Sequence, residues 1–143
     1  MTDASGDPYD LARFVAAQDP IYAQARAELA SGRKQSHWMW FVFPQIEGLG
    51  GSAMAQAYAI RSREEALAYF AHPILGPRLK ECVRLVNGVE GRSAREIFGH
   101  PDDLKFRSSM TLFAAIAPQE PLFAQALEKY YAGAPDPLTQ AKL

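Results

Sequence analysis

One stretch limits what this chain can fold into: Ser36-His37-Trp38-Met39-Trp40-Phe41-Val42-Phe43-Pro44-Gln45. It holds both tryptophans and two of the eight phenylalanines. Side chains of this size each cover roughly 150–250 Å² when buried, so the fold must enclose them. Arg33, Lys34, Gln35, Ser36 and His37 precede the apolar run and Gln45 follows it. An apolar plug in a polar collar is either the centre of a core or the floor of a ligand pocket, and the core is the commoner case. Six large apolar residues in a row fit a buried strand or a buried helix. A strand needs a partner, and no convincing second strand occurs elsewhere. Ser36 is a competent helix cap and Pro44 a helix terminator, so the spacing predicts a short buried helix over 37–43.

The rest of the chain is punctuated as helices. Asp7-Pro8 is a start signal, followed by Leu11, Phe14 and Val15 on one face. Asp19-Pro20 repeats it, and Ile21, Tyr22, Ala25 and Leu29 run to Gly32. Gly48, Gly50 and Gly51 make a loop without the spacing of a phosphate-binding loop. Ser52 is a cap, and Ser62 with Glu65 and Ser93 with Glu96 are capping-box pairs. A helix from Pro73 or Pro77 ends near Asn87-Gly88. Pro101, Asp102 and Asp103 open a helix whose acids suit its first turn. Phe106, Met110, Phe113 and Ala117 mark one face of it, and Leu104, Leu112 and Ile116 another, which implies burial on most of its circumference. Pro121 opens a further helix ending by Gly133, and Asp136-Pro137 begins a last turn. The expected fold is all-α: one compact domain of seven or eight short helices over 8–143, with 1–7 a disordered tail.

Whole-chain properties narrow the setting. At 143 residues one domain is expected, large enough to need no metal or disulfide staple. Apolar residues are 48% and charged residues 22%, a globular balance. A net charge of −1 gives no electrostatic reason to expect nucleic acid or an anionic membrane as partner. Cys82 is the only cysteine, so neither an intrachain disulfide nor a thiolate cluster is available. The polar, acidic start is unlike a signal peptide, and no apolar run approaches the roughly 20 residues of a membrane span. A cytoplasmic monomer is expected.

Three stretches carry a resemblance. They are residues 36–45, then His72-Pro73-Ile74-Leu75-Gly76-Pro77-Arg78-Leu79, and Ile97-Phe98-Gly99-His100-Pro101-Asp102-Asp103-Leu104-Lys105. Together they resemble an uncharacterised bacterial family, domain of unknown function family 1810, over about 9–143. The resemblance implies a mainly helical single domain and brings no assigned activity, cofactor or catalytic residue. Some members carry the label "calpastatin". Calpain-inhibitor segments are disordered and aromatic-poor, whereas this chain is 11% aromatic and patterned to fold.

For a site, the polar residues that count are His37, Gln45, Asp102, Asp103, Lys105, Arg107 and Ser108, with Trp38 and Trp40 as ring platforms. Ser109 stands beside them. The bland reading is hydrogen bonding within the core, with Asp103 and Arg107 pairing at i, i+4. The functional reading is a pocket between the Trp stretch and the 102–113 helix, holding a small polar, nucleotide-derived ligand. Asp102 and Asp103 oppose a bare phosphate at that helix start, while Lys105 and Arg107 offset them. His37, His72 and His100 lack ligand spacing, so no metal is expected, and no cofactor is implied. No serine sits in a nucleophile elbow. A distant analogy to the NADAR group, small helical proteins acting on ADP-ribose-type substrates, rests on Gln35-Ser36-His37-Trp38, which lacks the acid found before the His there. An enzyme needs a tuned pair, for which His37 with Asp102 or Asp103 is the candidate. A binding module needs a cleft without such a pair, and an interaction protein needs an exposed apolar patch instead.

Overall fold

The structure is a computed structural model, described here for residues 6–143. Among the described residues there are ten α-helices. They are α1 Ala12–Gln18, α2 Tyr22–Ala30, α3 Met39–Val42, α4 Ala53–Ala57 and α5 Arg63–Ala71, then α6 Leu75–Asn87, α7 Ala94–Phe98, α8 Asp102–Ile116, α9 Pro121–Tyr131 and α10 Pro137–Ala141. The all-α expectation holds. The count exceeds seven or eight because α3, α4, α7 and α10 are single turns of four or five residues. No helix among the described residues is long and apolar enough to cross a membrane. Of the tail expected over 1–7, residues 1–5 lie outside the described residues. Asp7 accepts hydrogen bonds from the backbone N–H of Leu11 (2.7 Å) and Ala12 (2.9 Å), so its carboxylate satisfies donors at the start of α1.

Helix α8 is the axis of the fold. Phe106, Ser108, Ser109, Met110, Thr111, Leu112, Phe113 and Ile116 are all buried on it. α3, α5, α7, α9 and α10 pack around it, as apolar residues on several faces require. α6 adds a second layer against α2, α5 and α9. Gly76 lets α6 begin hard against the end of α5, since a Cβ there would lie 2.2 Å from the Phe70 carbonyl oxygen. Two aromatic clusters fill the interior. Phe43 and Phe98 pack on Phe106 at 4.9 and 4.7 Å between ring centroids. Tyr69 lies 5.0 Å from Phe14 and 5.5 Å from Phe113, which leads on to Phe123 at 5.6 Å.

The helix expected over 37–43 is shorter, Met39–Val42, and Ser36 does not cap it. The cap position falls on Trp38, two residues beyond Ser36, and the Ser36 hydroxyl donates to the buried Glu28 carboxylate (2.6 Å). After Pro44 the chain makes one isolated parallel bridge, Ile46 to Ile60. Ile60 N–H donates to the Gln45 carbonyl and Glu47 N–H to the Ile60 carbonyl, both at 2.8 Å. That pairing satisfies buried backbone without a sheet, and no strand forms among the described residues. The Ser93–Glu96 capping box is complete. The Ser62–Glu65 pair is only half made. Glu65 turns to the Arg61 N–H (3.1 Å) and the Arg13 guanidinium (2.9 Å), because a buried acid gains more from a cation than from its own cap.

Candidate functional site

The Trp-rich stretch is anchored from α2. Glu28 is buried, and its Oε1 accepts from Gln35 N–H (2.8 Å), Ser36 N–H (3.0 Å) and the Trp38 indole Nε1 (3.0 Å). Its Oε2 accepts from Ser36 Oγ (2.6 Å) and Gln24 Nε2 (3.1 Å). Burial alone would raise the carboxyl pKa, but the hydrogen bonds from Ser36, Gln35 and Trp38 outweigh it and hold it at about 2. One carboxylate therefore fixes residues 35–38. Trp38 has no exposed surface and belongs to the core. Trp40, two residues on, is only partly buried.

A chain of charges joins this stretch to α8. Lys34 Nζ lies 5.1 Å from the centre of the Trp38 ring and 2.9 Å from Asp102 Oδ2. Lys105 Nζ lies 5.4 Å from the Trp40 ring centre and 3.3 Å from the other Asp102 oxygen. Asp103 pairs instead with His100 (3.0 Å). Arg107 donates from Nε and a terminal nitrogen to the carbonyls of Ala134 and Pro135 (2.9 Å each), not to Asp103. The Ser108 hydroxyl shares its one proton between Leu104 O (3.1 Å) and Asp136 Oδ2 (3.0 Å). Asp136 also accepts from the N–H and hydroxyl of Thr139, and its own N–H donates to Thr111 Oγ1. Burial opposes ionisation of Asp136, but the bonds from Thr139 and Ser108 prevail and lower its pKa. These contacts fold residues 134–139 back onto α8.

That return creates a cleft of about 490 Å³. Its polar lining is Gln45, Lys105, Arg107, Ser108 and Asp136. Its apolar lining is Leu49, Leu104 and Leu138 with Pro101 and Pro137. Leu104 is 48% exposed and Leu138 is 65% exposed, so the rim offers uncovered apolar surface. The Gln45 amide makes no hydrogen bond among the described residues.

Of the nine residues expected at a site, the fold brings Gln45, Lys105, Arg107 and Ser108 into this cleft. Asp102 and Trp40 are in contact with Lys105. Trp38 is in the core, Asp103 faces His100, and His37 is exposed, without a hydrogen bond among the described residues. His37 forms no ion pair with Asp102 or Asp103, so the pair expected for acid–base work does not assemble. Sequence reasoning missed Glu28, Lys34 and Asp136 as organising groups, and Leu138 as a wall. Two signals were available, Lys34 just ahead of the aromatic run and Asp136 before Pro137 at the start of the last turn.

Elsewhere, Cys82 is fully buried and burial pushes its thiol up to about 12, which leaves it a packing residue. Among the described residues no group of three or more His, Cys, Asp or Glu is placed to hold a metal ion. His72 Nδ1 accepts from the N–H groups of Ile74 and Leu75, a helix-start role.

Comparison with known proteins agrees with this architecture. No curated protein matches the chain. The crystal structure of the conserved hypothetical protein Rv1873 from Mycobacterium tuberculosis superposes with a TM-score of 0.95 at 58% identity, over 96% of this chain and 98% of that one. The model of a family described as "Protein of unknown function (DUF1810)" matches residues 8–143. The chain therefore belongs to the DUF1810 family, as its three characteristic stretches indicated.

Proposed function

We propose that this protein binds a small organic molecule in the cleft between α8, the loop after Pro44 and the returning C-terminal segment. The observation that carries this reading is the meeting of two exposed leucines, Leu104 and Leu138, with Lys105 and the free amide of Gln45 around one concave space. Its volume of about 490 Å³ suits small-molecule sites, which are mostly apolar with a few placed polar groups. Arg107 and Ser108 are spent on holding the C-terminal segment, so they shape the wall, and Gln45 and Lys105 remain to meet a ligand. A nucleotide-derived ligand stays within this reading, with its base between Leu104 and Leu138. Trp38 is not its platform, because that ring is fully buried.

The test is a thermal-shift screen of nucleotides, NAD, ADP-ribose, sugar phosphates and aromatic acids. A ligand at 100 times its Kd adds about 2.7 kcal/mol to the folded state, an easily read rise in Tm. At least one compound is expected to raise Tm. Leu138→Asp, at an exposed position, and Gln45→Ala, which removes a half-buried amide without a hydrogen-bond partner among the described residues, are expected to abolish the rise while leaving the free protein's Tm nearly unchanged. A screen without any shift, or shifts that survive both substitutions, would overturn the cleft as the site. The ADP-ribose hydrolase reading gains nothing from the geometry: His37, on which it rests, does not line the cleft and pairs with neither Asp102 nor Asp103.

A further inference from the structure

We infer that the ligand of this cleft is an organic monoanion, an apolar body bearing one carboxylate or phosphodiester, and that Lys105 recognises its charge by releasing Asp102. This rests on the cleft being a ligand site, as proposed above. Asp102 divides its two oxygens between two lysines. Lys34 holds Oδ2 at 2.9 Å, the length of a charge-assisted hydrogen bond. Lys105 stands 3.3 Å from Oδ1, longer than such a bond. The Lys34 side chain is 7% exposed and that of Lys105 is 26% exposed. Asp102 is therefore the counter-ion of the buried Lys34 first, and Lys105 is a loosely held second cation whose side chain lines the cleft.

Release of Lys105 leaves no carboxylate uncompensated, because Lys34 remains on Asp102. That removes the usual cost of breaking a partly buried ion pair, which is the charge left behind. The Trp40 ring under Lys105 keeps the ammonium near the cleft through the exchange. The local charge sets the valence of the ligand. The charged side chains that line the cleft are Lys105, Arg107 and Asp136, and two cations against one carboxylate leave one net positive charge, since Asp102 is already matched by Lys34. Arg107 is bonded to neutral carbonyls and Asp136 to neutral hydroxyl and N–H donors, so neither competes for Lys105. The leucine and proline walls take the apolar body.

The test uses pairs of probes alike in body and different in charge: indole-3-acetate with indole-3-acetamide, and cyclic AMP, a phosphodiester monoanion, with adenosine. Affinity and location are read together from 1H–15N NMR titrations, following the amides of Leu104, Leu138 and Gln45. The charged member is expected to bind about tenfold tighter, a difference of about 1.4 kcal/mol. Lys105→Met, which keeps the stem and drops the charge, is expected to erase that preference while neutral members still bind. Asp102→Asn is expected to strengthen binding of the anion several-fold by freeing Lys105, where loss of a merely structural contact would weaken it. Equal affinity for both members, with shifts in the cleft, would overturn the monoanion and leave the cleft standing as a site. A preference that survives Lys105→Met, or anion binding weakened by Asp102→Asn, would overturn the role of Lys105. Absence of shifts at all three amides with all four probes would count against the cleft itself and the inference with it.

Discussion

Removing the Glu28 carboxylate tests the account of what holds the Trp-rich stretch. Five donors converge on this side chain, three on one oxygen and two on the other. Glu28→Gln keeps an acceptor for Gln35 N–H, Ser36 N–H and Trp38 Nε1, but makes those bonds neutral and turns an amide NH2 toward Ser36 Oγ and Gln24. Bonds to charged groups are worth about 1.5–3 kcal/mol net and neutral ones about 1, so the expected loss is about 1–3 kcal/mol after the gain from burying no charge. Glu28→Ala strands the donors instead, at about 1–3 kcal/mol per unsatisfied buried group, and about 3–5 kcal/mol is expected with partial access of water. The pH dependence separates a charge effect from a packing effect. The folded carboxyl is depressed from 4.5 to about 2. Its contribution is complete above about pH 4.5 and is lost as pH falls toward 2. Urea melts followed by tryptophan fluorescence should show a wild-type advantage over Glu28→Gln at pH 7 that narrows at pH 3. A gap of the same size at both pH values would refute the electrostatic account. A Glu28→Ala protein as stable as wild type would refute the anchor altogether.

Trp38→Ala should cost about 3–5 kcal/mol in denaturant melts, and Trp40→Ala clearly less, since only Trp38 is fully enclosed. Equal costs would contradict the division between them. Gly76→Ala should lower stability by about 1–3 kcal/mol or more in calorimetry, because the new Cβ meets a backbone oxygen that cannot move alone. The double variant Arg107→Ala with Ser108→Ala should free the C-terminal segment, at about 1–2 kcal/mol and with faster limited proteolysis around 132–136. An unchanged cleavage pattern would show that other contacts hold it.

What the sequence by itself determined is local and helical. The Ser93–Glu96 box, the Asp136 cap and the proline starts of α9 and α10 were legible because each signal acts within about one turn. The burial of α8 was legible from apolar residues on several of its faces. What only the tertiary structure decided are the pairings across the chain. No pattern joins Lys34 to Asp102, or Glu28 to the indole of Trp38, since periodicity reports a face and not its partner. Trp38 and Trp40 look alike in sequence, and only packing against Phe43 and the Glu28 carboxylate puts the first inside while the second is left half-exposed under Lys105. The far wall of the cleft was not legible for the same reason. The cleft's polar residues on α8 were visible, but its far wall comes from residues 136–138, brought back 28 positions to Ser108 by hydrogen bonds that form only when the helices are already packed.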